Sequence, residues 1–443
     1  MKGIAKDFLK YSKKHQKYRE ENCLNMIASE NIKSEAVLEV KKRFYDFDFR
    51  YAEGANKING DPKERYYQGQ KFSREMEKLT SSAFRKLFDV NFVEPRPISG
   101  STANQATFRG LSNYNGNKMM SMPLSTGGHI THDYAGLAGK VLNLEISNLV
   151  FNSDEFNIDI DESKKKIREE EPSIIVLGAS LFPFSHPVKE ISSVAKEVDA
   201  FVVYDAAHVL GLISGGKFQD PIGEGADFVS SSTHKTFPGG QRGVIYGDIS
   251  NGRLEEAARY IQNATFPFSL SNHHLLSMAE NIVAILEMCF YGEDYAEQTI
   301  ENAKKLAESL YENDIFVIGE DKGFTESHQI VIDVEDYGRG NKVATKLEES
   351  NIIVNKNILP WDDQSNKLDP SGLRVGVQEL TRNGFKEEDM EQFAGYISSV
   401  IKGEERPKNI RPKVLKKVKD KKLEYGFKSL QEMESKIDDF FEI

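Results

Sequence analysis

Three short runs rich in β-branched residues recur about every 27 residues: SIIVLG from Ser173, FVVYDA from Phe201 and DFVSSSTHK from Asp227. Helical stretches separate them, and GVIYG follows from Gly243. This rhythm predicts βαβ crossovers and a mostly parallel sheet, a fold whose ligands bind outside the carboxyl ends of the strands. Polar residues just past those strands are therefore the first candidates for function.

The rest of the chain arranges itself around that unit. Residues 1–30 place Ile4, Phe8, Leu9 and Tyr11 among lysines and glutamates, a helical pattern too short for a core and suited to an arm. A large domain over 31–275 is expected. A smaller α+β domain over 276–443 then begins with a long helix from Ser277 to Asn313 and carries HQIVIDV, NIIVNKN and GLRVGV as strands. Between Lys402 and Lys422 ten Lys or Arg face three acids, Glu404, Glu405 and Asp420. That tail reads as a helix with a solvated basic face or as a nucleic-acid arm, and the interleaved Val and Leu favour the helix. The charge balance is 58 basic against 69 acidic residues, net -11, which argues against a chain built to coat nucleic acid or anionic membrane. Two distant cysteines, Cys23 and Cys289, suit neither a disulfide framework nor a zinc site. With no signal-like N-terminus and no run near 18 apolar residues, a cytoplasmic protein is expected.

Four segments carry chemistry. Lys235, in SSSTHKTFPGGQRG, follows a strand and precedes glycines. Partly desolvated there, it can attack a carbonyl to form a Schiff base, or it is a surface lysine in a turn. FVVYDAAH ends a strand with Asp205 and His208. A buried carboxylate there can hold a protonated pyridine ring, or Asp-x-x-His caps a helix or binds metal, although no third ligand is spaced to complete that site. RPISGSTANQATFRG turns at Ser99-Gly100-Ser101 into a helix, where Gly100 and Ser101 offer phosphate both amides and a hydroxyl, or simply cap the helix. STGGHITHDY presents His129 and His132 after two glycines. His129 can stack on an aromatic cofactor, or the pair is a loop feature or a metal site without an acidic third ligand. Neither a Walker A nor a Gly-x-Gly-x-x-Gly motif occurs. One cofactor accounts for all four segments: pyridoxal 5'-phosphate, with its aldehyde, protonatable ring and phosphate.

With these residues in place, the chain resembles the serine hydroxymethyltransferase family, and its archaeal branch most closely. MIASEN from Met26, YAEG from Tyr51, RYYQG from Arg65, SGSTAN, GGHITH, DAAH, STHKT and SGLRVG occur in the family's order between Tyr18 and Phe393. The resemblance implies fold type I, the aspartate aminotransferase-like α/β fold, with a mostly parallel large-domain sheet and a smaller α+β C-terminal domain. It implies that serine and a reduced pterin, tetrahydrofolate or tetrahydromethanopterin, are converted to glycine and the methylene-pterin. Lys235 then looks like the Schiff-base lysine, Asp205 the partner of the ring nitrogen and His129 the stacking residue. His208 and Ser180 lie near the phenolic oxygen, and Gly100 with Ser101 cradles the phosphate. Arg374 resembles the carboxylate clamp, with Ser29, His208 and Asn104 as further substrate contacts. Glu53 resembles the acid/base glutamate and Tyr67 a catalytic tyrosine. Both come from the neighbouring subunit in a homodimer with shared active sites, as do Tyr51 and the turn at Ser271 and Asn272 near the phosphate. Tyr66, Leu124, Gly128, Ile130 and Asn357 match the pterin contacts. No metal and no membrane or nucleic-acid partner is implied.

The chain departs from the common family pattern at several points. Ten residues, Ala55 to Glu64, separate YAEG from RYY where four are usual; Gln68 and Gln70 replace a glycine and often a cysteine. Gln241 takes an arginine position with Arg242 displaced by one, and Ser271 and Asn272 replace a Gly-Gly pair. Two other readings need most of the same residues: a pyridoxal-phosphate aldolase or transaldolase for threonine or another β-hydroxy amino acid, and a non-catalytic binding protein on the same fold.

Overall fold

The computed structural model describes residues 1–51, 67–363 and 368–441. Glu53, Tyr66 and the ten residues Ala55 to Glu64 lie outside them. By contacts the chain forms two units, Ser29–Glu297 with Tyr425–Ile443, and Met1–Ala28 with Gln298–Glu424. These differ from the expected boundaries at 30 and 275. The first 28 residues belong to the smaller unit, the long helix Leu275–Glu312 is divided at Glu297, and the chain returns to the larger unit after Glu424.

The larger unit is built on seven strands: β1 (Phe92–Glu94), β2 (Lys118–Ser121), β3 (Glu145–Asn148), β4 (Ile174–Leu177), β5 (Phe201–Asp205), β6 (Phe228–Ser232) and β7 (Gly243–Gly247). Their order is β1-β7-β6-β5-β4-β2-β3. The run from β3 to β6 is parallel, while β7 pairs antiparallel with both β6 and β1. Every residue of β4 to β7 is buried, which is why these strands read as continuous apolar or small-residue runs instead of alternating ones. The helix Gly100–Asn115 lies on the sheet and contributes Ala103, Ala106, Phe108 and Leu111 to a core shared with Phe201, Val203, Phe228 and Ile245. A second cluster joins Ala36, Val37 and Val40 of the helix Glu35–Arg43 to Leu276, Ala279 and Val283, with Phe427 and Leu430 from the returning segment. Phe427 is fully buried; its amide donates to Glu287 Oε1 and its carbonyl accepts from the Ala36 amide.

The smaller unit holds β8 (Gln329–Asp333), β9 (Asn355–Asn357) and β10 (Gly372–Gly376), antiparallel in the order β8-β10-β9. Leu24–Asn25 pairs parallel with Ile352–Ile353. The preceding helix Lys2–Gln16 is exposed along its described side chains, Ile4, Phe8, Leu9 and Tyr11 included. The basic tail is bound within this unit. Ile410 and Val414 are buried, Lys417 pairs with Asp389 at 2.5 Å, and Lys421 donates to the carbonyl of Cys23 at 2.9 Å. The helix Leu275–Glu312 is long and apolar enough to cross a membrane by composition, yet its apolar window is 67% buried in the protein, as befits a core helix.

Candidate active site

At the carboxyl ends of β4, β5 and β6 the larger unit opens a pocket of about 320 Å³. It is lined by Gly100, Ser101, His129, Ser180, Asp205, His208 and Lys235 together with Asn104, His234 and Gln241. Seven residues singled out from separate sequence segments thus meet in one cavity, as the strand-end rule for parallel sheets requires.

One end of the pocket is a helix N-terminus. Ser99 caps the helix Gly100–Asn115 in a capping box: its hydroxyl accepts from the Thr102 amide at 3.1 Å, and its own amide donates to Thr102 Oγ1 at 2.7 Å. Capping uses the amides of Thr102 and Ala103 and leaves those of Gly100 and Ser101 at the cavity. A Cβ at Gly100 would come within 3.1 Å of Ser232 Cβ, so the cradle is already as narrow as glycine permits. Two amides, a hydroxyl and the positive end of a sixteen-residue helix form a donor set that fits a phosphate.

Asp205 is 6% exposed. Its Oδ2 accepts from His132 Nε2 at 2.9 Å and Asn104 Nδ2 at 2.8 Å, and its Oδ1 accepts from the Ala207 amide at 3.0 Å. Burial alone would raise its pKa. The His132 hydrogen bond and charge, the charge of His129 and the Asn104 amide outweigh burial and hold the carboxyl well below the usual carboxylate range. The carboxylate is therefore ionised by its own chain before any ring is present, and it fits a protonated pyridine nitrogen. His129, His132 and Asp205 also have ligand atoms within 4.8 Å of one another. The expectation that the two histidines lack an acidic third group is thus corrected, because β5 delivers one from 73 residues away.

The turn after β4, which brings Ala179 and Ser180 to the pocket, is one that only glycine can start. Gly178 has φ +94°, and a Cβ there would lie 2.2 Å from the Asp205 carbonyl oxygen. Its amide donates to His186 Nδ1 at 3.0 Å, and the next turn is tied by the Ser180 amide to the Gly127 carbonyl at 2.8 Å. Gln219 in turn accepts from the His186 amide and donates to its carbonyl. Burial pushes His186 down to about 3, so it is a neutral acceptor. His234, beside Lys235, is lowered to about 4 by burial and by the charges of Lys235 and Lys33.

Behind the cradle, Arg242 is 1% exposed and bridges two segments. It donates to the carbonyls of Pro95 at 2.9 Å and Arg96 at 3.1 Å on one side. On the other it reaches the carbonyls of His273 and His274, the latter at 2.8 Å, and Ser277 Oγ at 3.1 Å. Burial lowers it to about 9 while Glu94, Glu77 and Glu280 oppose the shift. The displaced arginine noted in GGQRG thus ties the approach to the phosphate cradle to the turn containing Ser271 and Asn272.

Asn104 also lines the pocket, but it spends its amide on Asp205 and Thr131, and its oxygen accepts from Ser230 Oγ at 2.6 Å. Among the described residues, the remaining candidates do not line this pocket. Tyr51 and Tyr67 stack at 4.5 Å on an exposed face, with the Tyr51 carbonyl accepting from Gln70. Ser29 and Leu124 are half-buried, Gly128 is buried, Ile130 is 46% exposed and Ser271 is exposed. In the smaller unit, Arg374 on β10 is 8% exposed, lowered to about 10 by burial, and donates through Nε to Asn355 Oδ1 at 3.1 Å. Asn357 is half-buried on the neighbouring strand β9. Sequence reasoning passed over His132, Asn104, Arg242 and His186 in these supporting roles. The usable signal was that His132, Asn104 and Arg242 stood in segments already in view.

A parallel-sheet pocket with a strand-end lysine, an ionised strand-end aspartate and a phosphate cradle at a helix N-terminus defines a pyridoxal-phosphate-dependent enzyme of fold type I. Comparison with known proteins agrees and narrows the class. The profile described as serine hydroxymethyltransferase matches residues 6–397. Serine hydroxymethyltransferase of Pyrococcus abyssi is 49% identical over 409 residues, covering 92% of each chain, and that of Staphylothermus marinus is 44% identical over 98% of this chain and 95% of its own. That of Methanosphaera stadtmanae is 47% identical over 90% of this chain and 89% of its own. Among solved structures, L-threonine transaldolase from Pseudomonas fluorescens, in its internal aldimine state, superposes with a TM-score of 0.83 at 27% identity, covering 97% of this chain and 96% of that one. The chain belongs to the serine hydroxymethyltransferase family.

Proposed function

We propose that this protein is a cytoplasmic glycine hydroxymethyltransferase that interconverts serine and glycine with a reduced pterin, either tetrahydrofolate or tetrahydromethanopterin. The observation that carries this reading is the single pocket in which Lys235, Asp205 and the Gly100–Ser101 cradle converge. Pyridoxal 5'-phosphate, when bound there, supplies an aldehyde that condenses with amines and a protonated ring that takes up the electron pair of the breaking Cα–Cβ bond.

The chain's own residues do the rest. Lys235 would offer the amine that condenses with the cofactor's aldehyde. Asp205, kept ionised by His132 and Asn104, would hold the proton on a ring nitrogen. His129 would take the ring, Ser180 and His208 the phenolic oxygen, and Gly100 and Ser101 the phosphate through backbone donors. Arg374 takes the serine carboxylate, a task for a planar bidentate donor, with Ser29 beside it. Glu53 moves a proton at the serine hydroxyl or the pterin, and Tyr66, Leu124, Gly128, Ile130 and Asn357 contact the pterin. Glu53, Tyr67, Tyr51, Ser271 and Asn272 act on the neighbouring subunit's site, which makes the functional species a homodimer.

A second reading, a threonine or β-hydroxy amino acid aldolase or transaldolase, is favoured by the structural likeness to L-threonine transaldolase. It needs the same lysine, aspartate and arginine. Serine cleavage measured with each reduced pterin separates the two. Pterin-dependent glycine formation is the expected result, and threonine turnover indifferent to pterin with no serine activity would overturn the first reading. Glu53→Gln should keep bound cofactor and lose most pterin-dependent turnover.

A further inference from the structure

Lys235 lies three residues beyond the end of β6, where no ladder hydrogen bond fixes the main chain. Its carbonyl and that of Thr236 still need donors, because Thr236 is fully buried. A single side chain, Asn31, supplies both. Its Nδ2 donates to Lys235 O at 2.7 Å and to Thr236 O at 3.3 Å, and also reaches Tyr295 Oη at 3.0 Å. Its Oδ1 accepts from the Ile32 amide at 2.9 Å, which fixes the orientation of the carboxamide. Tyr295, fully buried, completes the arrangement by donating its hydroxyl to Thr236 O at 2.9 Å.

The other flank of the lysine is held as firmly. The Thr236 hydroxyl donates to the His208 carbonyl at 2.7 Å and accepts from the Gly211 amide at 3.0 Å. Thr233 donates to the Gly240 carbonyl at 2.7 Å and accepts from Asn281 at 3.1 Å. Lysine has four rotatable side-chain bonds, so the placement of its amine depends on where its Cα and peptide planes are fixed. The Asn31 and Tyr295 donors grip the two carbonyls that follow the lysine Cα, those of Lys235 and Thr236.

We propose that Asn31 and Tyr295 are positioning residues that set the Lys235 amine in the pocket; the proposal rests on the reading of Lys235 as the cofactor-binding lysine. Asn31 closes the MIASEN segment, so this contact gives that segment a mechanical task distinct from substrate binding. Tyr295 passes the contact outward, its ring lying 5.8 Å from that of Tyr425 in the returning C-terminal segment.

The test uses the holoenzyme with Asn31→Ala, Tyr295→Phe and Lys235→Ala. The readouts are the pH midpoint of the visible band of lysine-bound pyridoxal phosphate, kcat and KM for serine, and the thermal midpoint. Asn31→Ala should lower kcat by about tenfold, the worth of one buried hydrogen bond, with KM changed less than about threefold and the band midpoint moved by about half a pH unit or more. Tyr295→Phe, which keeps its ring packing, should shift the same quantities in the same direction by less. A merely structural role would lower the thermal midpoint and leave the band midpoint in place. Wild-type kcat and band midpoint in folded Tyr295→Phe and Asn31→Ala would overturn the proposal, and Tyr295→Phe alone decides if Asn31→Ala does not fold. A borohydride-fixed band surviving in Lys235→Ala would instead remove the lysine reading itself.

Discussion

Replacing Asp205 by asparagine tests the electrostatic centre of the site, and the structure sets the size of the effect. The carboxylate faces three donors: His132 and Asn104 on Oδ2 and the Ala207 amide on Oδ1. An amide has one acceptor oxygen, so its NH₂ must confront either the Ala207 N–H or the His132 and Asn104 pair. A buried donor left without an acceptor costs about 1–3 kcal/mol, so the cofactor-free variant loses that much in one orientation and about twice as much in the other. Its urea midpoint should fall accordingly. The folded-state pKa of Asp205 lies below the ordinary carboxylate value, so its stabilising contribution is complete above about pH 4 and disappears as pH falls through the folded value. Parent and variant should therefore differ at neutral pH and converge in acid. For turnover, an opposite unit charge at about 4 Å with an effective dielectric near 20 is worth about 4 kcal/mol, or roughly a thousandfold in rate. Serine cleavage by the loaded variant reads this directly. Parental turnover in Asp205→Asn, or an unchanged urea midpoint, would refute the reasoning.

Two further outcomes follow from the supporting residues. Arg242→Lys leaves at most three donors for five acceptors, three of them the buried carbonyls of Pro95, Arg96 and His273, and a compact ammonium cannot span both segments, so at least one buried carbonyl loses its partner at a cost of about 1–3 kcal/mol. A lower thermal midpoint together with faster loss of cofactor on dialysis is expected, and parental values for both would refute the tie between cradle and turn. His186→Asn keeps an acceptor for the Gly178 amide and removes an ionisation. Burial holds the histidine near 3, against about 6.5 when unfolded, so the parent loses about 1.4 kcal/mol per pH unit as pH falls through that window. Acid unfolding of the variant should begin at lower pH, as circular dichroism would show, and an identical acid midpoint would count against a buried neutral histidine.

Much of the site was legible because parallel strands deliver their next residues to one edge: Lys235, Asp205 and Ser180 each stand just past or at the end of a buried run that could be read by eye. Gly100 and Ser101 were legible for a local reason, the capping pattern of a helix start. Residues acting across the fold were not. The Asn104 amide and His132 ring reach Asp205 over 101 and 73 residues, and no periodicity encodes such a meeting. Strands β2 and β3 were also missed, since KMMS and EISN are short and carry one β-branched residue between them. The contact units divide the chain differently from the expected boundaries where it doubles back, because a core residue such as Phe427 looks like any other apolar residue near a terminus until its partners on the helix Glu35–Arg43 are known.

That doubling back sets a timetable for biosynthesis. Leu24 and Asn25 emerge from the ribosome early, yet their strand partner, Ile352 and Ile353, follows roughly 330 residues later. At about 5–20 residues per second the first segment waits on the order of 16–66 s. The socket formed by Val37, Val40, Leu276 and Val283 is complete only once Val283 is made, and it then waits about 144 residues, on the order of 7–29 s, for Phe427 and Leu430. Throughout that interval the sheet and the pocket at its edge can be complete while apolar surface elsewhere on the same unit stays open to water, to chaperones and to other nascent chains. Yield in a foreign host would then be governed by how long this socket stays empty, and slowing translation would work against the protein.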